Sequence, residues 1–128
     1  MYYLGLDVGS SSIKAAIVDA KSGKSILSVH EPKNEMGIDS LNNDWAEQDP
    51  NMWWKYSCDA IKRVCKESNI DSKKIGSIGI SYQMHGLVVV DKDGNTLRDS
   101  IIWCDSRAVN IGKEAFEILG QEKCMSHL

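Results

Sequence analysis

The sequence lacks a basic cluster, a long apolar run and a paired-cysteine motif, and each absence removes a class of function. Its 15 lysines and arginines are outnumbered by 18 acidic residues, leaving a net charge of −3 with the positive charges dispersed. A nucleic-acid or anionic-membrane partner therefore has no electrostatic support, and none is expected. No apolar run reaches the ~18 residues that suggest a membrane span. Met1-Tyr2-Tyr3-Leu4 enters a strand pattern with no basic leader before it, so no secretory signal is expected. Cys58, Cys65, Cys104 and Cys124 form no C-x-x-C pair, and His30, His85 and His127 stand at no metal-ligand spacing from them. The thiols are read as reduced and structural, which makes the cytoplasm the expected compartment. There is no Walker A sequence either, so a phosphate site here is not of the P-loop type.

What remains is ordinary globular composition over 128 residues, the length of one domain with a core of its own. Tyr3 to Val8 reads as a strand with Leu4, Leu6 and Val8 on one face. Gly9-Ser10-Ser11 turns the chain into a second strand, Ser12 to Asp19, and Lys21-Ser22-Gly23 into a third, Ser25 to His30. Tight turns between consecutive strands predict an antiparallel meander. The polar stretch from Glu31 to Gln48 is long for a connection in a compact domain, and such loops are usually functional or disordered. Asp49-Pro50 is a helix start, with Asp as cap and Pro in the first turn. That helix is expected to run to about Ser68, with Trp54, Cys58, Ile61 and Cys65 on its buried face. Ile75 to Ser81 and Leu87 to Val90 read as further strands. Lys92-Asp93-Gly94-Asn95 reads as a hairpin turn leading to a strand that ends near Trp103. A last helix is expected over Arg107 to Leu119, closed by Gly120. A strand that follows a helix can join the first strand in parallel, so the fold class is α/β: a mixed sheet of three antiparallel strands plus parallel strands, with covering helices. The chain stops eight residues after Gly120 without a polar tail, and is read as incomplete.

Three segments carry candidate chemistry. The first runs from Asp7 to Lys14. Gly9 permits a tight turn whose backbone N–H groups can converge on phosphate oxygens, and Ser10, Ser11 and Ser12 add hydroxyl donors. Asp7, at a strand's carboxyl end, suits a hydrated magnesium ion held through water, and Lys14 brings positive charge. A plain polar hairpin turn is the competing reading. The second segment is Ser81-Tyr82-Gln83-Met84-His85-Gly86, again at a strand end, where open α/β sheets place ligands. Gln83 and His85 offer donors and acceptors to hydroxyls, while a satisfied structural histidine is the alternative. The third is Trp103-Cys104-Asp105-Ser106-Arg107-Ala108. Trp103 can wall the C–H face of a sugar and Asp105 can accept hydroxyl hydrogens, or Asp105 or Ser106 simply caps the last helix.

Taken in order, these segments and Trp45-Ala46-Glu47-Gln48-Asp49-Pro50 with Trp53-Trp54 resemble the FGGY carbohydrate kinases over about residues 3 to 110. Gln83-Met84-His85-Gly86 is similar to the xylulose kinase branch of that family. The resemblance implies the actin-like ATPase (ribonuclease H-like) fold, with ATP and sugar held in a cleft between two related domains. Residues 1–128 would then be the amino-terminal part of the first of them, without the second. It further implies ATP and Mg2+ as cofactors, and Asp7, Gly9, Ser10, Ser11, Ser12 and Lys14 facing the phosphates and the metal. Met84 and His85 would touch the sugar, with Gln83, Trp103 and Asp105 lining its pocket. Family members often carry Arg where Lys14 stands; lysine keeps the charge but loses the planar fork. The catalytic Asp of the family is expected beyond Leu128, with Asp105 the one local substitute, so the chain alone is expected to be inactive. The implied reaction is phosphorylation of D-xylulose to D-xylulose 5-phosphate. The alternatives are another sugar or polyol (ribulose, gluconate, glycerol) or a non-catalytic nucleotide-binding module. Surfaces left uncovered by missing chain are expected to drive homodimer formation. One hollow shared by Asp7 and His85 is the central structural expectation.

Overall fold

The structure is a computed structural model that describes residues 1–127. Strands β1 (Tyr2–Val8), β2 (Ile13–Asp19) and β3 (Ser25–Glu31) form the expected meander, with β2 antiparallel to both neighbours. Helix α1 (Pro50–Ser68) carries the chain back, and β5 (Ile75–Tyr82) joins the far side of β1 in parallel, giving the order β3-β2-β1-β5. The two-residue strands β4 (Glu47–Gln48) and β6 (Ser100–Ile101) pair with each other in a second, small sheet. Helices α2 (Val109–Leu119) and α3 (Gln121–His127) end the described chain.

Alternation decides which side of the sheet is covered. Leu4 and Leu6 of β1 lie beside Ile17 and Ala15 of β2, and these point with Val29 of β3 into a core closed by Ala60 and Val64 of α1. The helix begins as its sequence dictates: the Asp49 side chain accepts from the Asn51 N–H at 2.9 Å and Pro50 stands in the first turn. It ends at Asn69, whose left-handed conformation lets its N–H reach back to the carbonyls of Cys65 and Lys66. Ser57, Ala60 and Val64 form its buried centre, Ile61 and Cys65 of the expected face pack beside them, and Trp54 departs from that face at 74% exposed. Small residues face the sheet because α1 lies against β2 and β3, and Ser57 satisfies its hydroxyl on the Trp53 carbonyl at 2.7 Å.

Further differences concern the second half. Leu87 to Val90 is not a strand; it makes single bridges, Leu87 to Ile101 and Val90 to Thr96, and Leu87, Val88 and Val90 are exposed. The expected turn at Asp93-Gly94 does form, closed by the Asp91 N–H on the Asn95 carbonyl. The strand expected to end near Trp103 is confined to Ser100–Ile101. The last helix starts at Val109 without a side-chain cap, so neither Asp105 nor Ser106 caps it, and a second helix follows Gly120. Register places Ile78, Ile80 and Tyr82 of β5 on the same face as Leu4, Leu6 and Val8, yet all three are exposed. Among the described residues no helix is long and apolar enough to cross a membrane.

Candidate functional site

The turn between β1 and β2 is closed by the Gly9 N–H on the Ser12 carbonyl at 3.2 Å, and a Cβ on Gly9 would stand 3.1 Å from that same oxygen. A side chain there would crowd the turn and require the Ser12 carbonyl to shift by a few tenths of an ångström. The Ser10 carbonyl accepts from Gln48 Nε2 at 2.7 Å, and the Ser11 carbonyl from the Met36 N–H at 2.8 Å. Asp7 and Lys14 are cross-strand partners on the sheet face opposite Leu6 and Val8, with Lys14 Nζ 3.4 Å from Asp7 Oδ2. Both side chains are about half exposed, so the pair is loose and open to other partners. On that side Ser11, Ser12, Lys14, His30 and Lys33 border a hollow of about 390 Å3. Hydroxyls and two lysines line it, as an anion requires, with the Glu35 carboxylate opposing them at the rim.

The second segment folds back from the end of β5. The Gln83 N–H reaches the Val8 carbonyl at 3.0 Å, and Leu87 exchanges backbone hydrogen bonds with Ile101, pinning the loop between them. Gly86 is needed for that approach, because a Cβ would stand 3.2 Å from the Ile101 carbonyl oxygen. His85 has a φ of 63°, the left-handed region that a non-glycine residue enters at a cost of about 1–3 kcal/mol, and such strain gathers at ligand sites. Val8, Trp53, Gln83, Met84, His85 and Ile102 border a hollow of about 460 Å3. Both ends of the Gln83 amide are buried and find no hydrogen-bond partner among the described residues. A buried amide left unpaired costs stability, and a group that both donates and accepts, such as a hydroxyl, would satisfy it.

The expected single hollow for Asp7 and His85 is not formed. Strand alternation puts Asp7 on one face, while His85 belongs to the hollow on the Val8 side. Ser11 and Ser12 of the turn border the first hollow, Val8 just before it borders the second, and the third segment reaches the turn itself: Trp103 Nε1 donates to Ser10 Oγ at 3.3 Å. Trp103 is largely exposed beside that turn, available as a wall.

Asp105 does something different from what its position suggested. Its carboxylate accepts from the Ala46 N–H at 2.7 Å, the Arg107 N–H at 3.0 Å and the Arg107 guanidinium at 2.7 Å. The side chain is 2% exposed, with no oxygen left for a sugar. Those Arg107 bonds hold its carboxyl far below the usual carboxylate range against the opposing effect of burial. Asp105 is therefore neither a sugar ligand nor a proton acceptor at neutral pH. Arg107 stacks 3.8 Å from the Trp45 ring and reaches Glu47 Oε1 at 2.5 Å, and Arg98 meets the same carboxylate. Glu47 is lowered as well, first by Arg107 and then by Arg98. This network fastens residues 44–48 to the Trp103 segment.

Sequence reasoning assigned no task to Gln48 or Trp53. Gln48 is 4% exposed and bonds Ser10, Gly37 and Trp53, and Trp53 walls the Gln83 hollow. The available signal was a glutamine just before a capped helix, at the end of an oddly long loop.

Comparison with known proteins identifies the family. The sequence model for the N-terminal domain of the FGGY family of carbohydrate kinases matches residues 2–127. A xylulose kinase of Staphylococcus epidermidis is 39% identical over 104 residues, covering 81% of this chain and 20% of that protein. The ligand-bound xylulose kinase of Lactobacillus acidophilus superposes with a TM-score of 0.81 at 30% identity, over 92% of this chain and 23% of that one. A gluconate kinase of the same organism matches with the same TM-score, identity and coverage. The chain spans about one fifth of the length of the curated relatives it matches. Its mixed sheet is that of the actin-like ATPase fold of these kinases. By sequence and by structure, this chain belongs to the FGGY family of carbohydrate kinases.

Proposed function

We propose that this chain is the amino-terminal part of the first domain of an ATP-dependent sugar kinase, with the second domain outside it, and that the sugar is D-xylulose, phosphorylated to D-xylulose 5-phosphate. The observation that carries this reading is the match to the N-terminal domain of the FGGY kinases over residues 2–127; the two hollows near the serine turn are differently equipped but separate, and do not by themselves bring sugar and phosphate together. Serine hydroxyls with Lys14 stand on one side, and an unpaired glutamine amide beside Met84 and His85 on the other. The first suits a polyphosphate and the second a polyhydroxy compound.

In the reaction a sugar hydroxyl attacks the terminal phosphorus of ATP, the bond from that phosphorus to the ADP oxygen breaks, and the hydroxyl proton passes to a carboxylate. Positioning and charge neutralisation are the protein's contribution. Gly9, Ser10, Ser11, Ser12 and Lys14 bind the phosphates; Met84 and His85 bind the sugar, with Gln83 and Trp103 lining its pocket. Asp7 keeps one carboxylate oxygen clear of Lys14, which suits a magnesium ion held through water. Magnesium would neutralise phosphate charge. The proton acceptor is assigned to a residue outside this chain, since Asp105 is engaged with Arg107. The free thiols and the ATP requirement suit the cytoplasm. Taken alone, this chain would self-associate as a homodimer through the exposed Ile78, Ile80 and Tyr82 face of β5.

The test is ADP formation by the full-length kinase of which this chain is the amino-terminal part, over a panel of D-xylulose, D-ribulose, gluconate and glycerol, with His85→Ala alongside the wild type. D-Xylulose is expected to give the highest kcat/KM, and His85→Ala to raise the sugar KM at least about tenfold while ATP affinity stays within about twofold. A His85→Ala variant with weakened ATP affinity and wild-type sugar affinity would refute the assignment of the two hollows. Gluconate is the second reading, supported by the equal resemblance to the gluconate kinase, and the same panel decides between them.

A further inference from the structure

Two carbonyls of the serine turn are drawn backwards by the loop behind it. Ser10 gives its oxygen to Gln48 Nε2 at 2.7 Å, and Ser11 gives its oxygen to the Met36 N–H at 2.8 Å. In a trans peptide the C=O and N–H of one unit point in opposite directions. Holding these two oxygens against the loop therefore turns the N–H groups of Ser11 and Ser12 the other way. Neither N–H has a partner among the described residues. Successive N–H groups aimed outward are what a phosphate oxygen meets in a backbone nest.

Gln48 is well suited to this task. Its amide is fully used, since Nε2 also donates to the Gly37 carbonyl at 2.8 Å and Oε1 accepts from Trp53 Nε1 at 3.2 Å. Two carbonyls on one side and an indole N–H on the other allow a single orientation of the amide. The side chain is 4% exposed and does not border the hollow of Ser11, Ser12 and Lys14. Its effect on a ligand there is indirect, through Ser10 of the turn and through Gly37 of the loop that brings Lys33 and Glu35 to the rim.

We propose that Gln48 is a positioning residue that holds the Gly9–Ser12 turn with its amides presented to phosphate. The proposal rests on the phosphate-site reading above and assigns the 31–48 loop the role of a brace behind that site. Glutamate at this position keeps the shape but sets a carboxylate oxygen against two carbonyls. Protonation at low pH returns one donor for Ser10 and leaves an acceptor for Trp53.

The experiment titrates the 15N-labelled full chain with inorganic tripolyphosphate, following the Ser11 and Ser12 amide resonances, at about pH 8 and about pH 5. Gln48→Glu is expected to bind about tenfold more weakly than wild type at the higher pH and to recover most of that ratio at the lower one. Gln48→Met, neutral and similar in size, separates the lost donor from the added charge, and is expected to lose about tenfold at both. Trp53→Phe spares both Nε2 bonds and is expected to lose less than about threefold. Wild-type affinity in either Gln48 variant at the higher pH overturns the proposal, as does a Gln48→Glu deficit that ignores pH. Should Gln48→Glu fail to fold, Gln48→Met decides on affinity alone. If the wild type itself shows no shift at Ser11 and Ser12, the phosphate reading falls and this proposal with it. That outcome is recognised without any variant.

Discussion

Asp105→Asn separates a structural ion pair from a sugar ligand at one position. The substitution removes the charge from a side chain that is 2% exposed and surrounded by donors: the Ala46 N–H, the Arg107 N–H and the Arg107 guanidinium. Asparagine keeps one acceptor oxygen but turns an NH2 toward groups that also donate. Removing one partner of a buried pair costs about 3–5 kcal/mol, and because Arg107 still holds Glu47, the lower end, about 3 kcal/mol, applies. For a domain of this size about 1 kcal/mol moves Tm by about 3–5 °C, so a fall of about 10 °C is expected at neutral pH. Thermal unfolding followed by circular dichroism reads it directly. The pH dependence is a second check. A carboxyl lowered in the folded state contributes stability that is complete above its ordinary range, about pH 4, and is lost as the pH falls. The gap between wild type and variant should therefore narrow on acidification from about pH 5 to about pH 2. A Tm within about 2 °C of wild type would refute the structural assignment. Intact stability with lost sugar affinity would restore Asp105 to the pocket.

Two more outcomes follow from the same geometry. Gly9→Ala puts a Cβ 3.1 Å from the Ser12 carbonyl oxygen, so calorimetry should show ATP binding weakened several-fold, at a stability cost of about 1 kcal/mol and with sugar affinity unchanged. Ile80→Lys introduces a charge on the face that Ile78 and Tyr82 share, and analytical ultracentrifugation should show the dimer replaced by monomer with stability altered by about 0.5 kcal/mol or less. A wild-type chain that sediments as a monomer at every concentration removes the basis for that expectation.

The parts of this structure that were legible in the sequence are those fixed by neighbours a few residues apart. Alternating apolar residues located β1 to β3, Gly9 and Gly23 located their turns, and Asp49-Pro50 located the start of α1. What failed depended on distant partners. The centre of the buried face of α1 is chosen by how the helix meets β2 and β3, and its own sequence does not reveal that Trp54 departs from that face. Leu87 to Val90 has an apolar strand pattern, but its pairing is limited to bridges with Ile101 and Thr96. Asp105 stands where a cap would stand, yet its partners Ala46 and Glu47-bound Arg107 belong to a network spanning nearly half the chain. Gln48 is a similar case, its task visible only when Ser10 lies in front of it.

The central position of β1 has a consequence for the order of assembly. Its bonds to β2 join residues a few to seventeen positions apart, whereas Tyr2 meets Ile75 only after everything between has been gathered in. Short-range pairings form first because they sacrifice less chain freedom, and the parallel join arrives late. The meander and its helix can thus be a scaffold before β5 docks, and Gln83 to Gly86 acquire their places last. A mild loss of stability would open the chain in the reverse order, releasing the sugar-side loop while the serine turn still stands.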